Sequence, residues 1–193
     1  MNNLSYPRKL IVLGGLSLLS LLIVSISLLV YLSGSISTAN QQLEGLKQAQ
    51  KTSSLIQSLQ QHRGMSAAVI AGVNNSADMQ VSINRQVDES FLKVSKGLPE
   101  ELKQAAEWST IQAQWQYLDS KGITLALDES FNLHTELIHD LNSLQLKVAD
   151  YYFLLVMDDL DSYYLTNSFL FTIPITLELL GQARAVGVSY LVN

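Results

Sequence analysis

Residues 10–32 of this chain read LIVLGGLSLLSLLIVSISLLVYL, and none of their side chains carries a charge. A helix needs roughly 20 consecutive apolar residues to cross the hydrocarbon core of a bilayer, and this stretch is long enough. A secretory signal peptide has an apolar region of only about 7 to 15 residues, although residues 37–39 would make a passable cleavage site. We therefore interpret residues 10–32 as a transmembrane helix that is retained in the mature protein.

The charges on either side of this stretch indicate its orientation. Arg8 and Lys9 precede it, and the first charged residue after it is Glu44. Positively charged flanks stay on the cytoplasmic side of a membrane. The sequence therefore predicts a membrane protein with residues 1–9 in the cytoplasm and residues 33–193 exported to the other side.

The exported region is acidic and lacks cysteine. All 17 acidic residues of the chain follow residue 32, whereas two of the 12 basic residues precede it. A surface with this balance argues against nucleic acid as a partner. Without cysteine the region has neither disulfides nor thiolate chemistry, so its stability has to come from a hydrophobic core.

Apolar residues recur every three or four positions after residue 32, and proline and glycine are scarce. This spacing predicts an all-α fold, an antiparallel helical bundle that follows the transmembrane helix. The first exported helix is expected to continue from the membrane to about residue 72, with an apolar stripe of Ile36, Ala39, Leu43, Leu46, Ala49, Ile56 and Leu59. The second is expected at about residues 77–95, with an inner side of Val81, Val87, Phe91 and Val94.

Further helices are expected along the rest of the chain. The third starts at Pro99 and ends at Gly122, with a buried face of Leu102, Ala105, Trp108, Ile111, Trp115 and Leu118. The fourth begins near Asp128, its predicted N-cap, and persists to Met157. A short helix follows residues 158–162, and Pro174 opens a last helix. The last eight residues contain no helix stop signal, so we expect the exported domain to be incomplete at its C-terminus.

Two arginines, Arg63 and Arg184, lie in the middle of apolar helical stripes, and neither has an acidic residue three or four positions away. A guanidinium on a buried face is destabilising unless an anion meets it. Two facing arginines would form a fork-shaped pocket for a small planar oxyanion. Alternatively, each arginine pairs with a carboxylate from another helix, for which the candidates are Asp140, Asp150 and Asp158.

The residues around both arginines resemble a known family. Residues 59–67, LQQHRGMSA, resemble the first arginine motif of nitrate- and nitrite-sensing domains, which are helical bundles of bacterial chemoreceptors and histidine kinases. Residues 180–184, LGQAR, lie where that family has its second arginine motif. The resemblance implies that Arg63 and Arg184 hold nitrate or nitrite between helices. Gly64 and Ser66 would leave room for the ligand, and His62 could add a donor whose charge depends on pH.

No pattern in the sequence predicts an enzyme, a cofactor or a metal site. His134 and His139 are five residues apart and so do not share a helical face, and there is no His-Glu-x-x-His pattern. A phosphate-binding glycine loop and a nucleophile with its base are also missing from the sequence. We therefore expect a binding function.

Serines recur within the apolar stretch on one helical seam, which consists of Leu13, Ser17, Ser20, Val24, Ser27 and Tyr31. Such a seam allows close helix packing in lipid and predicts a homodimer. The expected function is the input region of a transmembrane receptor that senses a small anion. Two alternatives stay open: a helical sensor for another ligand or a partner protein, and a membrane-anchored structural or adaptor protein in which the arginines only staple the helices.

Overall fold

The computed structural model describes the backbone of residues 6–73, 76–157 and 159–192, and the side chains of all of these except 76, 77 and 184–192. The helices are α1 (Tyr6–Ile70), α2 (Ser76–Gly97), α3 (Glu100–Lys103), α4 (Ala106–Lys121), α5 (Leu127–Tyr151), α6 (Leu160–Asn167) and α7 (Ile173–Val192). A 3-10 turn, Gly122–Thr124, follows α4, and a π-helix, Ser168–Thr172, leads into α7. The described residues contain no β-strand, so the predicted all-α class is confirmed.

The chain divides into two compact units, Met1–Gln41 and Gln42–Asn193. The described residues of the first unit all belong to α1, and all of them are exposed. Among the described residues, α1 is the one helix that is long and apolar enough to cross a membrane. The hydroxyls of Ser17 and Ser20 donate to the carbonyl oxygens of Gly14 and Ser17, so the helix satisfies these polar groups internally.

The second unit has one main hydrophobic core, to which α1, α2, α4, α5 and Leu98 contribute. Its buried members are Leu55, Ile56, Leu59, Val87, Phe91, Val94, Leu98, Trp108, Ile111, Trp115, Leu118, Leu137, Ile138, Leu141, Leu144 and Val148. Each large side chain contributes about 1.5 to 3 kcal/mol when it is fully buried. A smaller cluster of Ala49, Ala149, Leu154 and Leu170 packs the π-helix against α1 and α5.

The predicted third helix consists of two helices, because the chain is extended at Ala105, between α3 and α4. Leu102 and Trp108 are six residues apart, so on one continuous helix they would point in different directions. The break lets both side chains reach the core, where Trp108 is buried and Leu102 packs beside it. The expected burial of Trp115 and Leu118 is confirmed.

The inner face of α2 differs from the predicted one by about one residue. Val81, expected inside, is 66% exposed, whereas Gln80 is 5% exposed. Val87, Phe91 and Val94 are buried as predicted. The same three- and four-residue spacing continued backward from Val87 leads to Asn84 and Gln80, so the inner face of α2 ends in two amides.

The limits of α5 also differ from the prediction. The helix begins at Leu127, with Ala126 as its N-cap and Asp128 in its first turn. It ends at Tyr151 rather than Met157, because Phe153 adopts a left-handed conformation with φ 54°. The amide of Gln42 in α1 donates to the carbonyl oxygens of Phe153 and Val156 at 3.0 Å each, which stabilises this turn. A contact of such long range is invisible in the local sequence.

The predicted apolar stripe of α1 is only partly buried. Ile36, Leu43 and Leu46 are exposed. The buried face of α1 begins at Gly45 and continues with Gln48, Ala49 and Thr52. A Cβ atom added to Gly45 would collide with the side chain of Tyr152, so glycine permits this close approach.

Candidate functional site

Arg63 lies on the buried face of α1 and is only 6% exposed. Its guanidinium forms a two-pronged ion pair with Glu178 of α7, in which Nη1 donates to Oε1 at 2.6 Å and Nη2 donates to Oε2 at 3.1 Å. This fork-to-carboxylate geometry gives both strength and a fixed orientation. The pair therefore fixes α7 against α1.

Helix α5 completes the surroundings of Arg63. Nη1 also donates to the hydroxyl of Thr135 at 3.0 Å, and the ring of Phe131 lies 5.0 Å from the guanidinium carbon. The aromatic face is a favourable neighbour for a cation. Arg63 is thus held by groups from α5 and α7 together.

Glu178 is 7% exposed, and its carboxylate accepts four hydrogen bonds. Two come from Arg63, one from Gln60 at 2.9 Å and one from Gln182 at 2.8 Å. Burial opposes ionisation, but the hydrogen bonds from Arg63, Gln182 and Gln60 outweigh it and hold the pKa of Glu178 below its ordinary value. The carboxylate is therefore ionised at neutral pH.

The partner of Arg63 is a carboxylate from another helix, as in the second interpretation of the sequence, but it is none of the candidates proposed there. Asp140 accepts from the amide of Gln114 at 2.8 Å, Asp150 is exposed on α5, and Asp158 lies outside the described residues. The signal for Glu178 was present in the sequence, because it is the single charged residue between Asp161 and Arg184.

The two arginine motifs come close to each other at Gly181. A Cβ atom added to Gly181 would lie 3.4 Å from Nη2 of Arg63, so the first motif faces the glycine of the second. Gln182, in the same motif, bonds the carboxylate that Arg63 holds. Arg184 belongs to α7, but its side chain lies outside the described residues.

His62, next to Arg63 on α1, takes part in a second polar cluster, with His134 of α5 and Gln80 of α2. The two histidines are fully buried and are joined by a hydrogen bond of 2.7 Å between His62 Nδ1 and His134 Nε2. His134 Nδ1 lies 2.6 Å from the carbonyl oxygen of Ser130. A carbonyl can only accept, so His134 carries its proton on Nδ1 and accepts at Nε2 from His62.

This assignment leaves Nε2 of His62 as an acceptor, and the amide of Gln80 donates to it at 2.6 Å. The same amide nitrogen of Gln80 lies 3.0 Å from Oδ1 of Asn84 and 3.2 Å from the hydroxyl of Ser66. Asn84 in turn donates to Asp119 at 2.5 Å, so the chain of hydrogen bonds continues to the surface at α4.

Both histidines are neutral at pH 7. Burial, together with a smaller contribution from the adjacent His134, lowers the pKa of His62 to about 3, and a hydrogen bond with Asn84 opposes this shift. Burial also lowers the pKa of His134 to about 4; the hydrogen bond to Ser130 opposes this shift, and the charge of Arg63 adds to it. The expectation that His62 supplies a pH-dependent donor therefore applies only well below neutral pH.

Of the five residues predicted for the site, Arg63, His62 and Ser66 are buried in these two adjoining clusters. Gly64 is exposed on α1, and nothing lies within 4 Å of a Cβ atom built on it, so it does not join them. Sequence reasoning did not identify His134, Gln80 and Thr135. Among the described residues, no group of three or more potential ligands could hold a metal ion.

Comparisons with known proteins add no family to this picture. No protein-family model, no curated protein and no solved structure matches the chain. Any assignment of function therefore has to rest on the residues and their geometry.

Proposed function

We propose that the chain is the sensory input region of a bacterial transmembrane receptor. Residues 10–32 would cross the inner membrane with the N-terminus in the cytoplasm, and residues 33–193 would form a periplasmic helical bundle. This proposal is supported by the full exposure of the apolar part of α1, which a bilayer would cover. The positive flank at Arg8 and Lys9 supports the orientation.

The proposed ligand is a small planar anion, nitrate or nitrite, that exchanges with the carboxylate of Glu178 on Arg63. The single observation that carries this proposal is the buried guanidinium held in two-pronged fashion by a carboxylate. Nitrate offers the same planar arrangement of oxygens with the same charge, so Arg63 could accept either. Glu178 would then be the internal occupant of the site in the ligand-free state.

Exchange of this kind would change how α1 and α7 are held together. Arg63 and the proposed membrane span are both part of α1, so a shift of this helix would carry the signal inward. The anion can bias the receptor only if it binds one packing of the helices more tightly than the other. Release of Glu178 provides such a difference, since the carboxylate holds α7 only while the anion is absent.

A homodimer is part of the proposal. Ile36, Leu43 and Leu46 are exposed on α1, and with Ala39 they repeat at alternating intervals of three and four residues. This is the spacing of a coiled-coil seam. A second copy of the chain would cover these side chains, and the serines at Ser17, Ser20 and Ser27 would allow close packing of the two proposed membrane spans.

The test is thermal unfolding of the full chain in lipid nanodiscs, with nitrate, nitrite, chloride and sulfate at matched ionic strength. We expect the midpoint to rise in nitrate or nitrite alone, because an anion that binds the folded state stabilises it. Arg63→Ala should abolish the rise, and the exposed Arg85→Ala is the matched control. Glu178→Gln should enlarge it, because the internal competitor has lost its charge.

The alternative is a membrane-anchored structural or adaptor protein in which the ion pair only holds the helices together. One observation favours it: the guanidinium and the carboxylate already satisfy each other. Equal midpoints in all four salts, with Arg63→Ala simply less stable, would support this alternative or a sensor for another ligand or a partner protein.

A further inference from the structure

The four hydrogen bonds at the carboxylate of Glu178 are divided evenly between its two oxygens. Oε1 accepts from Nη1 of Arg63 at 2.6 Å and from the amide of Gln182 at 2.8 Å. Oε2 accepts from Nη2 of Arg63 at 3.1 Å and from the amide of Gln60 at 2.9 Å. Each oxygen therefore receives one N–H from the guanidinium and one from an amide. We call Arg63, Gln60 and Gln182 the carboxylate cradle.

The two amides of the cradle belong to different helices. Gln60 lies on α1, three residues before Arg63, whereas Gln182 lies on α7, four residues after Glu178. Residues three apart on a helix are neighbours on its surface. Gln60 and Arg63 therefore keep their relative positions when the side chain of Glu178 turns away.

The substituent that follows the two oxygens in the cradle is an aliphatic carbon. Glu178 is buried, so the methylene group next to its carboxylate lies with it inside the site. Acetate corresponds to this methylene carbon and the carboxylate, and propionate corresponds to the whole side chain of glutamate. A short aliphatic carboxylate therefore has the shape and the charge of the group that the cradle already holds.

A groove beside the cradle gives the side chain of Glu178 room to turn away. The groove has a cavity volume of about 740 Å³, and Glu178, Gln182 and Thr135 are among the residues that line it. Two other lining residues, Ile175 and Leu179, are 49% and 59% exposed, so the groove is open to solvent. A small ligand can thus reach Arg63 along the same route by which Glu178 leaves.

We infer that the Arg63 site binds a short aliphatic monocarboxylate, such as acetate or propionate, and that Gln60 is one of its ligand-binding residues. The inference rests on the proposed exchange of Glu178 and extends the ligand class beyond nitrate and nitrite. Arg63 would hold both oxygens of the ligand, and the two amides would each donate to one oxygen. Because the ligand competes with a tethered carboxylate, its apparent affinity is reduced to the fraction of molecules in which Glu178 has turned away.

Thermal unfolding of the full chain in nanodiscs of zwitterionic lipid tests the inference, with acetate, nitrate, nitrite and chloride at matched ionic strength and neutral pH. We expect acetate to raise the midpoint of the native chain. It should raise the midpoint of Glu178→Ala at an at least about tenfold lower concentration, because no internal carboxylate competes there. Chloride, which does not offer two oxygens, should raise neither midpoint. If Glu178→Ala is unfolded in chloride, recovery of its helical circular dichroism in acetate is the equivalent measurement.

Gln60→Leu tests the role of the amide. Combined with Glu178→Ala, it should weaken the effect of acetate by about tenfold, because one hydrogen bond to a charged group is lost. With Glu178 present, it should leave the apparent affinity for acetate nearly unchanged, since the competing carboxylate loses the same hydrogen bond. Gln57→Leu, the same change at an exposed position of α1, is the control and should alter neither result. Equal effects of acetate on Glu178→Ala with and without Gln60 would overturn the role of Gln60.

The outcomes separate this inference from the proposed exchange of nitrate or nitrite. A rise with nitrate or nitrite but not with acetate, in the native chain and in Glu178→Ala, would overturn the inference and leave the exchange intact. A rise with acetate alone would support the inference and exclude nitrate and nitrite as ligands. Recovery of Glu178→Ala by acetate, without a rise for any anion in the native chain, would overturn both, because the cradle would then hold only its own Glu178.

Discussion

The two parts of helix α1 differ in what they expose and what they bury. In the first unit, every described residue of α1 is exposed, including all the leucines, isoleucines and valines of residues 10–32. In the second unit, α1 leaves Leu43 and Leu46 exposed and buries Gln48, Thr52 and Ser58 together with His62 and Arg63. The same helix is thus apolar where it is exposed and rich in polar residues where it is buried.

The comparison indicates that the surroundings of a side chain matter as much as its hydrophobicity. In the proposed membrane position of residues 10–32, the lipid would be as apolar as leucine, so an apolar face would need no protein partner there. In the second unit a polar residue is tolerated inside only when its hydrogen bonds are made, and Arg63 and His62 meet this condition in different ways. Arg63 is charged and paired with an ion, whereas His62 is neutral and paired with another neutral ring.

The largest effect is expected from Arg63→Ala. This change leaves the carboxylate of Glu178 buried without its ionic partner, which costs about 3 to 5 kcal/mol when one member of a buried pair is removed. Chemical denaturation of the full chain in nanodiscs measures the free energy of unfolding. Arg85→Ala on the exposed face of α2 is the control and should change it by less than about 0.5 kcal/mol. A similar loss in both variants would show that the pair does not hold α7.

The second prediction concerns pH. His62 and His134 have folded pKa values of about 3 and about 4, below their ordinary value of 6.5. The unfolded chain therefore binds more protons, and stability that is present above pH 6.5 is lost as the pH falls toward 4. We expect a loss of about 1.4 kcal/mol per pH unit for each histidine below pH 6.

Between pH 6.5 and 5 the two histidines together should lower the free energy of unfolding by roughly 3 kcal/mol. The pKa of Glu178 is held below 4.5, so its contribution is lost only at more acidic pH. Denaturation at a series of pH values in His62→Gln should show about half the native slope, and substitution of the exposed His139 by glutamine controls for the loss of a histidine. An unchanged slope in His62→Gln would show that the buried pair does not cause the pH dependence.

Matched leucine substitutions sharpen the comparison between the two parts of α1. Leu59→Ala should destabilise the second unit by about 2 to 5 kcal/mol, because Leu59 is fully buried and a cavity remains. Leu21, which is 64% exposed in the first unit, has no packing to lose, so Leu21→Ala should leave the unfolding midpoint unchanged. Equal destabilisation by both substitutions would contradict the division of the chain into two units.

The smallest effect is expected from two glycines of the same helix. A Cβ at Gly45 would collide with Tyr152, so Gly45→Ala should cost about 1 to 3 kcal/mol. Nothing lies within 4 Å of a Cβ built on Gly34, and alanine favours a helix over glycine, so Gly34→Ala should be neutral or slightly stabilising. Differential scanning calorimetry of the two variants checks this contrast; a neutral Gly45→Ala would show that the contact with Tyr152 is loose.

Much of the fold was predictable from the sequence, because helical periodicity is local information. The spacing of Trp108, Ile111, Trp115 and Leu118 predicted the core face of α4, and it is buried. Predictions failed where the choice depended on a distant group. The end of α5 is stabilised by Gln42, more than a hundred residues away along the chain. The inner face of α2 includes Asn84 and Gln80, because the amide of Gln80 donates to the buried ring of His62.

For the candidate site, the sequence determined that Arg63 lies on a core face and needs an anion, since the apolar frame around it is visible in the residues alone. Only the tertiary structure decided that the anion is Glu178, that Gly181 faces Arg63, and that His62 meets His134. The physical reason is that a helical period fixes which face of a helix is buried. Which residue of another helix lies opposite depends on how the helices pack, and that is set by the fit of many side chains at once.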